Sequence, residues 1–76
     1  MTINTNLLKS KMALHGMTIN DLSNETGLHR DTVSNIINNK TAPSYPAINA
    51  LYYALNLSPE DGKDIFFGSD LRNKKV

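Results

Sequence analysis

The sequence predicts an all-α fold, a compact bundle of about five short helices. Three observations carry this. Apolar residues return at three- and four-residue spacing, and no segment shows the two-residue alternation of a strand. The periodic segments are cut by Gly16, Gly27, Asn38-Asn39, Asn56 and Gly68, residue types that suit the left-handed turn just past a helix. Thr18, Ser44 and Ser58 stand ahead of three of the segments, and their side chains suit helix N-caps.

The first helix is expected from about Thr5 to His15. Leu8 and Met12 lie four apart, and Leu7 and Leu14 broaden that apolar side before Gly16 ends it. Thr18 caps the second helix, with Asp21 three residues on in a capping-box-like arrangement. Leu22 is its main core residue, and Gly27 closes it. The third helix runs from about Arg30 to Asn38 and carries Val33, Ile36 and Ile37; Asn38 or Asn39 takes the left-handed conformation that stops it. After a loop through Thr41-Ala42-Pro43, Ser44 caps a fourth helix over Tyr45 to Leu55. Ile48, Leu51, Tyr52 and Leu55 share one face there, and Pro46 falls in the first turn, where a missing N–H costs little. Tyr45, Tyr52 and Tyr53 adjoin that face and are expected to pack in the core, Tyr53 being the most open to solvent. The fifth helix opens on Ser58-Pro59-Glu60-Asp61: a cap, a proline at the first position, and acids near the positive helix end. It carries Ile65, Phe66 and Phe67, and Gly68 stops it.

A chain of 76 residues makes one domain, expected over 1–68, with a polar, flexible tail over 69–76. With no cysteine, there are no disulfides and no thiolate metal sites, which suits a reducing cytosol. No apolar run exceeds six residues, so no membrane-spanning segment is expected, nor a secretory leader. His15 and His29 lack metal-ligand spacing, and no Ser/His/Asp arrangement is evident, so neither a cofactor nor catalysis is expected. Glu60, Asp61 and Asp64 read as a helix start rather than as a catalytic acid pair. Net charge is only +1. DNA affinity rests largely on neutralising phosphates with Lys and Arg, so a nucleic-acid reading has to rest on architecture.

That architecture is the stretch Thr18 to Lys40. Two short helical patterns are joined by Gly27-Leu28-His29, too short for anything but a tight turn. Two helices joined by a short glycine-containing turn read as a helix-turn-helix, whose second helix enters a DNA major groove. Residues 5 to 67 resemble the Cro/C1-type helix-turn-helix domain of phage repressors, Cro proteins and small bacterial regulators. The resemblance is carried by Gly16-Met17-Thr18, Leu22, Gly27, Val33, Ile36, Asn38-Asn39-Lys40, Pro43-Ser44 and Ala54-Leu55-Asn56-Leu57-Ser58. Four positions depart from the family pattern. Ser23 stands where Ala is usual, Asn39 where Gly is common, and His29 where a Ser or Thr often caps the third helix. Met12 and Ile37 occupy the places of an Arg–Glu pair, so an apolar contact is expected in its stead.

The resemblance implies a lambda-repressor-like, non-enzymatic DNA-binding domain in a bacterial cytosol or nucleoid, acting on double-stranded operator DNA, with a homodimer as its expected form. Base edges would be read by His29, Arg30, Asp31, Ser34 and Asn35, with Asn38 at the far end. Arg30 suits guanine, Asn35 adenine, and Asp31 the amino group of cytosine. Phosphates would be held by Thr18, Asn39, Lys40 and Thr41. Ile65, Phe66 and Phe67 are too many apolar side chains for a short terminal helix to bury easily, and are expected to meet a partner chain. Each assignment has a plainer rival. Asp31 complements the positive end of the third helix and Lys40 sits past a negative one, Ser34 and Asn35 suit an ordinary polar surface, and His29 suits a turn. A second functional reading uses the same fold as a protein-binding module. Such an antirepressor or antitoxin would dock on a partner repressor or toxin and mask its surface. The low charge and the acid at Asp31 favour it.

Overall fold

The structure, a computed structural model, describes residues 3–67. The described residues form five helices, α1 (Thr5–Leu14), α2 (Ile19–Thr26), α3 (Arg30–Ile37), α4 (Tyr45–Ala54) and α5 (Pro59–Phe66), and no strand. Gly68 and the tail expected over 69–76 lie outside the described residues.

Local chemistry sets both ends of these helices. Thr18, Ser44 and Ser58 cap α2, α4 and α5 as their positions predict, and Asn4 caps α1 through the amide of Leu7. The capping box is complete: Thr18 Oγ1 accepts from the Asp21 amide at 3.2 Å, and an Asp21 carboxylate oxygen accepts from the Thr18 amide at 2.9 Å. Three helices end alike. Gly16, Asn39 and Asn56 hold left-handed backbone at φ 64°, 58° and 49°. The next amide then reaches back to the last turn, from Met17 to Met12 O at 2.8 Å, Lys40 to Asn35 O at 2.8 Å and Leu57 to Tyr52 O at 3.0 Å. This is the Schellman closure.

One core collects the buried side chains. Leu8 and Met12 of α1, Leu22 of α2, and Val33, Ile36 and Ile37 of α3 meet Ile48 and Leu51 of α4, Leu55 beyond it, and Ile65 and Phe66 of α5. Helix α2 packs against α3 and α4, and α1 against α3 and α5. Met12 and Ile37 are both buried in this cluster, so the apolar pair expected from the sequence has its place.

The structure corrects the reading of the aromatic residues. Ile65 and Phe66 are each only 1% exposed, whereas Phe67 is 37% exposed. Of the three residues expected to meet a partner chain, only Phe67 is open to solvent. Two features let α5 sink this far. The Asn4 amide bonds to Ile65 O at 2.7 Å, strapping the chain ahead of α1 to α5. Gly62 presents no side chain to the Tyr52 ring; a Cβ there would lie 2.9 Å from Tyr52 Cδ1. Tyr45, expected in the core, is 77% exposed: it is the first residue of α4, ahead of the buried residues Ala47, Ile48 and Leu51. Tyr53 is exposed as expected, with its ring edge-on to Tyr52 at 5.3 Å.

An ion pair adds to the α1–α5 contact. Lys11 Nζ lies 3.0 Å from Asp61 Oδ2. The bonded ammonium, with help from Ser58, holds the Asp61 carboxyl below its ordinary range, against the opposing pull of partial burial. A carboxyl depressed by folding stabilises the fold above its unfolded pKa of about 4 and loses that contribution as pH falls through the folded value. Lys11→Met is therefore expected to destabilise the domain at neutral pH. Its difference from the unmodified chain should close as pH falls below about 4, and thermal melts across that range check it.

Candidate nucleic-acid interface

The corner between α2 and α3 is fixed by its own short side chains. Gly27 takes φ 76°, open to glycine without strain. Its amide bonds back to Ser23 O at 2.9 Å. Thr26 Oγ1 donates to Leu22 O at 2.6 Å and accepts from the Leu28 amide at 3.1 Å. Ser23 Oγ donates to Leu28 O at 2.7 Å. The serine found in place of the usual alanine is thus a brace across the turn. Ser23→Ala is expected to cost about 1 kcal/mol, the net worth of a hydrogen bond whose acceptor is left partly buried. Urea melts measure it, and an unchanged midpoint would remove the brace.

Past the corner, α3 divides cleanly. Val33, Ile36 and Ile37 are buried. Arg30, Asp31, Thr32 and Asn38 are exposed, and Ser34 and Asn35 half-buried. A surface depression runs between the start of α2 and the start of α3, lined by Thr18, Ile19, Asn20, Arg30, Asp31 and Ser34. The structure therefore gathers three expected base readers and one expected phosphate contact, Thr18, around one concavity. Asn20 joins them there. Sequence reasoning missed it because an Asn in the first turn of a helix gives no periodic signal. Thr32, exposed beside Asp31, was missed for the same reason.

The far end of α3 carries the other assignments. Asn38 Nδ2 donates to Ser34 O at 3.0 Å and lies 3.4 Å from Ser34 Oγ. Asn39 also has a structural part. Its side-chain oxygen accepts from the Ile3 amide at 3.3 Å and its side-chain nitrogen donates to Ile3 O at 3.2 Å. Its backbone amide bonds to Ile36 O at 3.1 Å. These bonds position the corner at the end of α3. Lys40 and Thr41 stay exposed beyond it.

His29, too, has a structural part. It is the N-cap of α3, and its ring Nδ1 accepts from the Asp31 amide at 3.1 Å, doing the work of the missing Ser or Thr. The same nitrogen lies 3.9 Å from Asp31 Oδ2. Among the described residues, Arg30 and Lys40 form no ion pair, which leaves both cations free for an external anion. No helix among the described residues is long and apolar enough to cross a membrane.

Two eight-residue helices across a glycine corner, the second with its polar side uncovered, define the helix-turn-helix class of DNA-binding domains. The chain belongs to the Cro/C1-type HTH DNA-binding domain family, whose model matches residues 7–61. No curated protein and no solved structure gives a significant match to the chain.

Proposed function

We propose that the protein is a sequence-specific transcriptional regulator of phage repressor or Cro type, reading operator DNA in the major groove with α3. The observation that carries this is the division of α3. Its apolar side is held in the core, and its polar side opens beside the start of α2 around one concavity. Arg30, Asp31, Ser34 and Asn35 face base edges, with Asn38 at the far end, while Thr18, Lys40 and Thr41 meet phosphates. The working form is a homodimer on a pseudo-palindromic site, its half-sites about 34 Å apart. The groove between α4 and α5, lined in part by Ile48, Tyr52, Pro59 and Phe67, is the surface for the second copy.

The test is binding to operator-containing duplex DNA from the flanking region across a salt series. Affinity should fall steeply with salt, in proportion to the phosphates contacted. Arg30→Ala should cost about 1–3 kcal/mol on the preferred site and flatten the preference at one base pair. Unchanged sequence preference removes Arg30 from the reading set.

A second reading is favoured by the acids. Asp21 sits in the first turn of α2 and Asp31 in that of α3, where phosphates would approach. Exposed Tyr45 and Tyr53 suit a protein surface better than a nucleic-acid one. On this reading the domain docks on a partner repressor or toxin. No specific DNA shift at low salt, with co-purification of another regulator, selects it.

A further inference from the structure

The cap of the reading helix carries a consequence for base selection. Asp31 is 86% exposed and His29 75%, and the carboxylate accepts no hydrogen bond within the chain among the described residues. An acid in the first turn of a helix commonly complements the positive helix end without a hydrogen bond. The cap here is the His29 ring, and the Asp31 carboxylate stays open on the rim of the concavity beside Arg30. A carboxylate only accepts. It is repelled by phosphate and by the O6 and N7 acceptors of guanine, and it suits the exposed amino hydrogen of cytosine.

The ring can cap only while Nδ1 carries a lone pair. When a proton is added to Nδ1, that nitrogen becomes a donor, the Asp31 amide loses its acceptor, and the new N–H finds Asp31 Oδ2 3.9 Å away. Rotation of either exposed side chain closes that distance to a charge-assisted hydrogen bond. We propose that His29 and Asp31 form a proton-dependent base selector at the tip of α3: neutral His29 leaves Asp31 free to choose cytosine, and protonated His29 withdraws it. The proposal rests on the DNA reading above. Besides Asp31, Arg30 is the charged residue lining the concavity among the described residues, and it adjoins the pair on the same helix. Across the concavity, Thr18 and Asn20 do not titrate, and the Asp21 carboxylate is bound to the Thr18 amide at 2.9 Å.

The experiment enriches random-sequence duplexes on the 76-residue chain at about pH 8 and about pH 5.5. The unmodified protein should select cytosine at one position of each half-site at the higher pH. That preference should fall by about five-fold or more at the lower pH, while affinity for other sequences rises. His29→Asn, which still caps the helix but cannot take up the proton, should hold the cytosine preference at both pH values. Asp31→Asn should move the preference to adenine at both. A preference in the unmodified protein that ignores pH overturns the selector, as does a pH effect that survives His29→Asn. Enrichment without cytosine overturns it and leaves DNA reading standing. No enrichment at either pH, with the chain folded, sinks both.

Discussion

Ile37→Glu is expected to destabilise the domain strongly at neutral pH. Ile37 is 4% exposed, in the core cluster with Met12 where α1 packs on α3. A carboxylate placed there would sit among apolar side chains, and Lys11, next to Met12 in the sequence, is already held by Asp61 at 3.0 Å. An uncompensated buried charge costs about 3–5 kcal/mol. A domain of this size has only about 4–11 kcal/mol in total. The control is Ile37→Val, which keeps the site apolar and should cost about 0.5–1.5 kcal/mol. Both are read from urea melts. A loss below about 1 kcal/mol for the glutamate variant would mean that position 37 reaches solvent, and the apolar substitute for an Arg–Glu pair would have to be abandoned.

The pairing of positions 12 and 37 came from the family resemblance, while their apolar character and place on a core face were legible from helical spacing. The same logic placed all five helices, the capping box at Thr18 and the left-handed stop at Asn38-Asn39. It failed where a residue's role is set by groups distant in sequence. Asn39 looks like a free corner amide until Ile3, thirty-six positions away, is seen across it. His29 is a different case, its partner being only two positions on: an imidazole is an uncommon cap, and only the position of its ring shows the bond to the Asp31 amide. Gly62 drew no notice, since a glycine inside a helix reads as a mere weakness. Its purpose lies in the Tyr52 ring on another helix. The concavity at Thr18 and Arg30 was half visible: the residue types were apparent, but the meeting of the two helix starts was not.

The tandem phenylalanines separate folding from association. Phe66→Ala is expected to cost about 3–5 kcal/mol, since a side chain 1% exposed leaves a cavity among Ile65, Leu55 and their neighbours. The loss belongs to the single chain, so the difference in urea midpoint should be the same at every protein concentration. Phe67→Ala should behave in the opposite way. At 37% exposure it gives up little packing within the chain, and the folding midpoint in dilute solution should barely move. Its effect should appear in association, as a shift toward monomer in sedimentation and as weaker, less cooperative binding to a two-half-site DNA. The contrast is stringent because the residues are adjacent and chemically identical. Only the direction in which α5 presents each ring differs. If Phe66→Ala instead gave a concentration-dependent midpoint, the buried side of α5 would have to open in the assembled protein. If Phe67→Ala left association untouched, the second copy would have to sit elsewhere, and exposed Tyr53 would be the next place to look.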